Sequence, residues 1–329
     1  MTPSFRLSVL DLSPVPSGFS SRQALLNTLD LAPFVEALGY TRYWLAEHHN
    51  TGLIASSSPE ILIGQVGAVT SKIRIGSGGV MLPNHAPLKV AENFRTLGAL
   101  FPDRIDLGLG RAPGTDPRTA AALRESRNAA NFPQQLQELM AFLKEEPQTV
   151  RAMPLDVKMP PIWLLGSSDF SARLAAQLGM GFAFAHHINQ PMAAAALQFY
   201  RDNFQPSEYE NAPRAILAVS VVCAETDEAA QELAMPANLV WLRFQSGRFH
   251  EALPSVEDAK NYPYSDIERD FLNNTKGRMF VGSPATIREQ LQELATLAAV
   301  EEIMITSLIH GHEARKRSYE LLAQEFGIG

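Results

Sequence analysis

Along the 329-residue chain, short runs rich in Val, Ile, Leu and aromatic residues recur, each followed by a turn and then by apolar positions three and four apart. The first kind of run reads as a buried strand and the second as an amphipathic helix. Strands are expected at Phe5 to Leu12, Thr41 to His48, Ile73 to Leu82, Arg104 to Arg111, Pro161 to Ser167, Gly181 to His187, Ile216 to Ala224 and Glu302 to Ile309. Helices are expected at Arg22 to Leu38, Pro59 to Thr70, Leu88 to Leu100, Asp169 to Leu178, Pro191 to Asn203, Pro284 to Leu297 and Glu313 to Phe326. Ser58-Pro59 and Ser283-Pro284 place a hydroxyl at the N-cap and a ring at the first helical position, whereas Pro33 inside the first helix predicts a kink.

Strand and helix in alternation mean parallel strands joined by crossovers, and eight strands favour closure over an open sheet. The expected architecture is one domain over residues 1–329, a (β/α)8 TIM barrel with insertions after strands 4 and 7, at about 112–160 and 225–301. The second insertion is the expected place for a lid.

Composition narrows the setting. Hydrophobic residues make up 46% and charged residues 19%, enough apolar surface for a large core. The formal charge is −7 with no basic run, which argues against nucleic acid as a partner. Cys223 is the one cysteine, so an internal disulfide is excluded. The longest apolar run, Ile216 to Ala224, is far short of the roughly 20 residues a bilayer span requires. With no signal-peptide pattern at the N-terminus, a cytoplasmic protein away from membranes is expected.

Active sites of such barrels lie at the C-terminal ends of the strands. Of the eight histidines, His48, His49, His85, His186, His187, His310 and His312 fall at those ends or just beyond, together with Asp11, Ser13, Arg111, Ser167 and Ser168. His310-Gly311-His312 has a metal-ligand spacing and keeps a metal-dependent barrel hydrolase open, although His48 and His49 should face opposite ways and His-Glu-x-x-His is absent. Gly108-Leu109-Gly110 starts like a dinucleotide fingerprint, but Pro113 stands where the third glycine belongs. Gly166-Ser167-Ser168 leading into a helix with Ser171 in its first turn offers N–H groups, hydroxyls and a positive helix end to a phosphate; the same serines would also serve as plain N-caps.

Tyr43-Trp44-Leu45-Ala46-Glu47-His48-His49, Ile75-Gly76-Ser77-Gly78-Gly79-Val80-Met81-Leu82-Pro83 and Arg104-Ile105-Asp106-Leu107-Gly108-Leu109-Gly110-Arg111 resemble the second to fourth strands of the bacterial luciferase-like flavin monooxygenases. Leu165-Gly166-Ser167-Ser168 and Phe280-Val281-Gly282-Ser283-Pro284 extend the resemblance over nearly the whole chain apart from the insertions, closest to the single-chain YhbW-type subgroup. The resemblance implies an FMN-dependent monooxygenase that takes reduced flavin from a separate reductase and uses O2 on a small organic substrate, as a homodimer. It places the phosphate on Arg111, Gly166, Ser167, Ser168 and Ser171, and the ring on a cis peptide at Gly78-Gly79 between Ala46 and Glu47. His48 matches the family's acid-base histidine, with a hydrogen-bonded barrel histidine as the other reading; Glu47 would orient a neighbouring arginine or histidine. Gly110 replaces the luciferases' reactive cysteine, and Gly166 or Ser167 their phosphate-loop glutamate, so light emission is not implied. The dimer would form through the second and third helices, where Ile61, Leu62, Val66 and Val69 suggest an apolar stripe. A deazaflavin-dependent hydride-transfer enzyme and a flavin-binding protein without turnover are the further alternatives.

Overall fold

The structure, a computed structural model, describes residues 5–123, 131–144, 149–275 and 277–328. Every apolar run identified above forms a strand: β1 (Arg6–Asp11), β2 (Arg42–Leu45), β3 (Arg74–Ser77) with β4 (Val80–Met81), β5 (Ile105–Gly110), β6 (Ile162–Gly166), β7 (Gly181–Ala185), β8 (Ala215–Cys223) and, after β9 (Met279–Gly282), β10 (Glu302–Thr306). The pairings are parallel, and β10 joins β1 on one side and β8 on the other. A parallel sheet has no edge to protect once it closes, and the result is an eight-stranded (β/α)8 barrel.

Twelve helices surround it among the described residues: α1 (Ser21–Ala37), α2 (Pro59–Val69), α3 (Pro87–Leu100), α4 (Pro117–Leu123), α5 (Phe132–Leu143), α6 (Asp169–Leu178), α7 (Ala193–Asp202), α8 (Asp227–Gln245), α9 (Val256–Asn261), α10 (Asp266–Asn274), α11 (Pro284–Ala298) and α12 (His312–Phe326). Period-two alternation divides the strand residues between two cores. Leu7, Val9, Tyr43, Leu45, Leu107, Leu109 and Leu164 face the helices, whereas Leu10, Trp44, Ala46, Trp163, Ala218 and Met304 fill the barrel.

α1 runs through Pro33 as one helix. Local expectations at the helix starts change: the hydroxyls of Ser58 and Ser283 make no cap bond. Ser283 instead donates its backbone N–H to Asp227, 2.6 Å away. The stretch 112–160 is not all insertion: α5 buries Leu136, Leu139, Met140 and Leu143 against the barrel and is the crossover helix between β5 and β6. Residues 124–130 and 145–148 of that stretch lie outside the described residues. Residues 225–301 hold α8, α9 and α10, packed on each other through Leu239, Leu242, Ala259 and Phe271, then β9 and the crossover helix α11. Two capping boxes, Ser255 with Asp258 and Ser265 with Glu268, define the short helices α9 and α10. Strand β9 pairs with the C-terminal half of β8 and is not among the eight strands read from the sequence.

Candidate functional site

Inside the barrel the side chains change in kind from one end to the other. At the N-terminal end Arg42 pairs with Asp106 at 2.6 Å and Glu302 at 2.7 Å, and Arg74 pairs with Asp106 at 2.6 Å. Trp44 and Trp163 cross edge to face above them, with centroids 5.6 Å apart. Beyond the tryptophans the inward positions include the small residues Ala46, Gly78, Ala183 and Ala218, with Leu12 and Leu165 partly buried beside them. A polar plug and an aromatic layer therefore close one end, and small residues leave room at the other.

Strand three breaks at this level. Gly76 pairs with Asp106, an offset of 106 − 76 = 30, but Val80 pairs with Leu109, an offset of 109 − 80 = 29, so one extra residue is accommodated between β3 and β4. That is the bulge expected from the glycine pair, and the Gly78-Gly79 peptide is cis as expected. Ser77 covers the gap: its hydroxyl donates to the Gly108 carbonyl at 2.8 Å and accepts from the Gly108 N–H at 3.0 Å. A Cβ on Gly78 would stand 2.7 Å from Leu10, and one on Gly79 would stand 2.8 Å from the Gly108 carbonyl oxygen. The absent side chains thus let the barrel wall pack behind the bulge and leave its peptide surface bare.

Glu47 is fully buried just past β2. Its carboxylate accepts from His49 Nε2 at 2.8 Å, the Met81 N–H at 2.8 Å, Asn84 Nδ2 at 2.9 Å and His85 Nε2 at 2.9 Å. Burial alone would raise its pKa, but the bonds from His49, His85 and Met81 outweigh that and bring it to about 2. The residue orients two histidines and ties the β2 loop to the segment following the bulge. Its carboxylate is occupied by the protein.

His48 points away from this knot and lines a cavity of about 450 Å³ with His49, Pro113, Val240, Phe244 and Phe249. Desolvation pushes its imidazole below the ordinary range, against an opposing bond to the Gly114 backbone, so it is neutral at pH 7. Because β2 ends at Leu45, strand alternation does not govern the two adjacent histidines, and both border this cavity, His49 while also bonded to Glu47. The α8 residues of this lining were beyond the reach of sequence reading, since nothing local signals which helix of a long insertion bends back over the mouth.

Arg111 leaves β5 with its guanidinium 3.9 Å from the Phe170 ring centroid at the start of α6. It makes no hydrogen bond or ion pair among the described residues. The acids nearest to it in sequence are engaged elsewhere: Asp103 with Lys158, Asp106 with Arg42 and Arg74, Asp116 with Asn50 and Thr119. Ser168 is the N-cap residue of α6 by position, yet its hydroxyl makes no cap bond. The Ser171 hydroxyl is already committed to the Leu165 carbonyl at 2.9 Å, and a Cβ on Gly166 would stand 2.5 Å from that hydroxyl. A bare cation, an uncapped helix start and Ser167 and Ser168 therefore lie together at the C-terminal ends of β5 and β6.

Other polar strand ends are structural. Asp11 turns outward and accepts from Arg315 at 2.6 Å, Thr28 at 2.7 Å and Tyr43 at 2.5 Å. Burial would raise its carboxyl; Arg315 and the hydroxyls hold it below the usual range. Ser13 bonds to Thr28, within the same knot. His310 binds Ser17 and His312 binds Asp30, so the His-x-His pair diverges, and no three His, Cys, Asp or Glu side chains among the described residues converge on a metal position. No helix among the described residues is long and apolar enough to cross a membrane.

The profile of the family described as luciferase-like monooxygenase matches residues 5–301. A luciferase-like monooxygenase of Escherichia coli strain K12 is 42% identical over 318 residues, 95% of each chain. The crystal structure of apo-MsnO8 superposes with a TM-score of 0.93 at 40% identity, covering 99% of this chain and 98% of that one. At 19% identity the oxygenating constituent of 3,6-diketocamphane monooxygenase of Pseudomonas putida, a type II Baeyer-Villiger monooxygenase in complex with FMN, shares the fold, with a TM-score of 0.71 and coverage of 99% and 98%.

Proposed function

The chain belongs to the luciferase-like monooxygenase family and is a flavin-dependent monooxygenase; from that premise we propose that its cofactor is FMN, received in reduced form from a separate reductase, and that it uses O2 to oxygenate a small organic molecule. The observation that carries this reading is the unpaired Arg111 beside the uncapped start of α6. An arginine, the Ser167 and Ser168 hydroxyls and a helix N-terminus suit a terminal phosphate, which FMN has and riboflavin lacks. The bare Gly78-Gly79 peptide would support the ring, with Ala46 below it. Glu47 is a positioning residue in this scheme, because its carboxylate holds His49 and His85. Reduced flavin supplies the electrons that activate O2.

The residues of the chain do the rest. Phe244, Phe249, Leu53 and Ile54 make the cavity at the mouth largely apolar, which keeps water away from a reactive cofactor and takes the carbon skeleton of the substrate. Neutral His48 is placed to accept a proton at one ring nitrogen. The exposed Ile61 and Val69 on α2 support a homodimer through this face, although Val66 on the same helix turns inward to the barrel. Titration of flavin-free protein tests the cofactor: FMN should bind at least tenfold more tightly than riboflavin, and equal affinities, or a preference for a deazaflavin, would overturn the assignment. His48→Ala should leave the FMN dissociation constant within twofold and slow oxidation of the reduced complex by O2 about a hundredfold, read by stopped-flow absorbance. Unchanged kinetics would make His48 a structural residue.

A further inference from the structure

We propose that a second cavity, on the far side of α8 from His48, binds a small organic carboxylate through Arg278. The cavity has a volume of about 580 Å³ and lies between the turn after β7, α8, the segment leading into β9, and α11. His186, Gln190, Asn238, Arg278, Phe280 and Gln290 line it. The Arg278 guanidinium rests 4.3 Å from the centroid of Trp241, and no carboxylate, carbonyl or hydroxyl accepts from it among the described residues. Its Nε is shielded from solvent and unsatisfied, as are His186 Nδ1, Gln290 Oε1 and the indole nitrogen of Trp241 beneath it. Arg278 is half-buried and differs in its partners from the buried Arg42 and Arg315: Arg42 has two carboxylates, and Arg315 has Asp11 although its Nε too lacks an acceptor. A shielded cation without an acceptor carries the cost of its lost hydration uncompensated, and an anion in the cavity removes that cost. Burial draws the Arg278 pKa down to about 10 with no acid opposing it.

The surroundings select the kind of anion. Nε–H and the adjacent Nη–H form a fork whose spacing matches the two oxygens of a carboxylate. One guanidinium balances one negative charge, and among the described residues the lining has no second cation and no long helix N-terminus to balance a phosphate dianion. Glu293 at the exposed rim weighs further against a doubly charged ligand. The side-chain amides of Gln190, Asn238 and Gln290 provide donors and acceptors for an amide or hydroxyl on the same ligand, and Phe280 and Leu294 cover its carbon atoms. His186, stacked on Phe280 with its pKa drawn to about 4 by burial, stays neutral and does not compete for the charge.

Trp241 makes the proposal measurable without any flavin chemistry, because the other two tryptophans, Trp44 and Trp163, are sealed inside the barrel. Fluorescence of the full chain is followed while acetate, propionate or inorganic phosphate is added, with chloride as the control at equal ionic strength. The expected result is a saturable change with acetate and propionate that disappears in Trp241→Phe, weakens about tenfold to a hundredfold in Arg278→Gln and less in Arg278→Lys. Melting of Arg278→Gln is the second measurement: removal of an unpaired cation should leave the melting temperature unchanged or raise it. A response no different from chloride, a response equal in Arg278→Gln, tighter binding of phosphate than of acetate, or a lowered melting temperature in Arg278→Gln would each overturn the proposal. Because the assay omits flavin, its failure leaves the FMN assignment standing, and the reverse also holds.

Discussion

The two ends of the barrel treat the same residue type in opposite ways. At the N-terminal end Arg42 and Arg74 are locked onto Asp106 and Glu302, and even the indole nitrogen of Trp44 is drawn in, 3.1 Å from Asp106. At the C-terminal end Arg111 and Arg278 rest on aromatic faces and meet no acid among the described residues. A charge already neutralised by the fold serves stability. A charge left open has no such duty and is free to meet a ligand. Glu47 shows that position along the barrel is not the whole distinction, since it lies at the open end and is nevertheless saturated by the protein.

Breaking the closed end should have the largest effect. Asp106→Ala leaves Arg42 short of one partner and Arg74 without its carboxylate, and removal of one member of a buried ion pair typically costs about 3–5 kcal/mol. Urea unfolding should show this loss with an FMN affinity, measured on the protein still folded, close to that of the unaltered chain. A loss below about 1 kcal/mol would mean that the plug is not the structural counterpart of the open end.

Acid probes the saturated charge at the open end. The Glu47 carboxyl has its pKa lowered in the folded chain from an ordinary 4.5 to about 2, so its stabilisation is complete above about pH 5 and is lost as pH falls from there through 2. This displacement corresponds to about 3 kcal/mol. Because the lost contribution is specific to Glu47, the Glu47→Gln variant should be less stable than the unaltered chain at pH 6, and the two melting temperatures should converge as the pH approaches 2. Parallel curves across that interval would show that the knot contributes nothing through its charge.

The finest test sits at the open charge itself. Arg111→Ala should weaken FMN binding tenfold to a hundredfold, the equivalent of about 1.5–3 kcal/mol, with the melting temperature of the flavin-free protein unchanged because no protein acceptor is lost. Arg111→Lys should recover part of the affinity, since an ammonium supplies charge without the planar fork. A destabilised flavin-free variant that binds FMN normally would move Arg111 to the closed class.

Much of this comparison was written locally in the chain. The eight barrel strands, seven of their helices and the bulge at Gly78-Gly79 follow from apolar periodicity and glycine placement, because the period-two and period-3.6 patterns and the need for a bare backbone act over a few neighbouring residues. The role of Glu47 as an orienting carboxylate follows in the same way from its place beside His48 and His49, although its bonds to Asn84 and His85 do not. What only the tertiary structure decided is which charges are satisfied. Asp11 and Arg111 look alike in sequence, each a charged residue at a strand end, yet Asp11 meets Arg315 from 304 positions away and Arg111 meets no acid among the described residues. Arg278 and Trp241, likewise, come together only because α8 folds back against β9. Electrostatic satisfaction depends on distances of a few ångströms between residues hundreds of positions apart, and no local pattern in the chain encodes those distances.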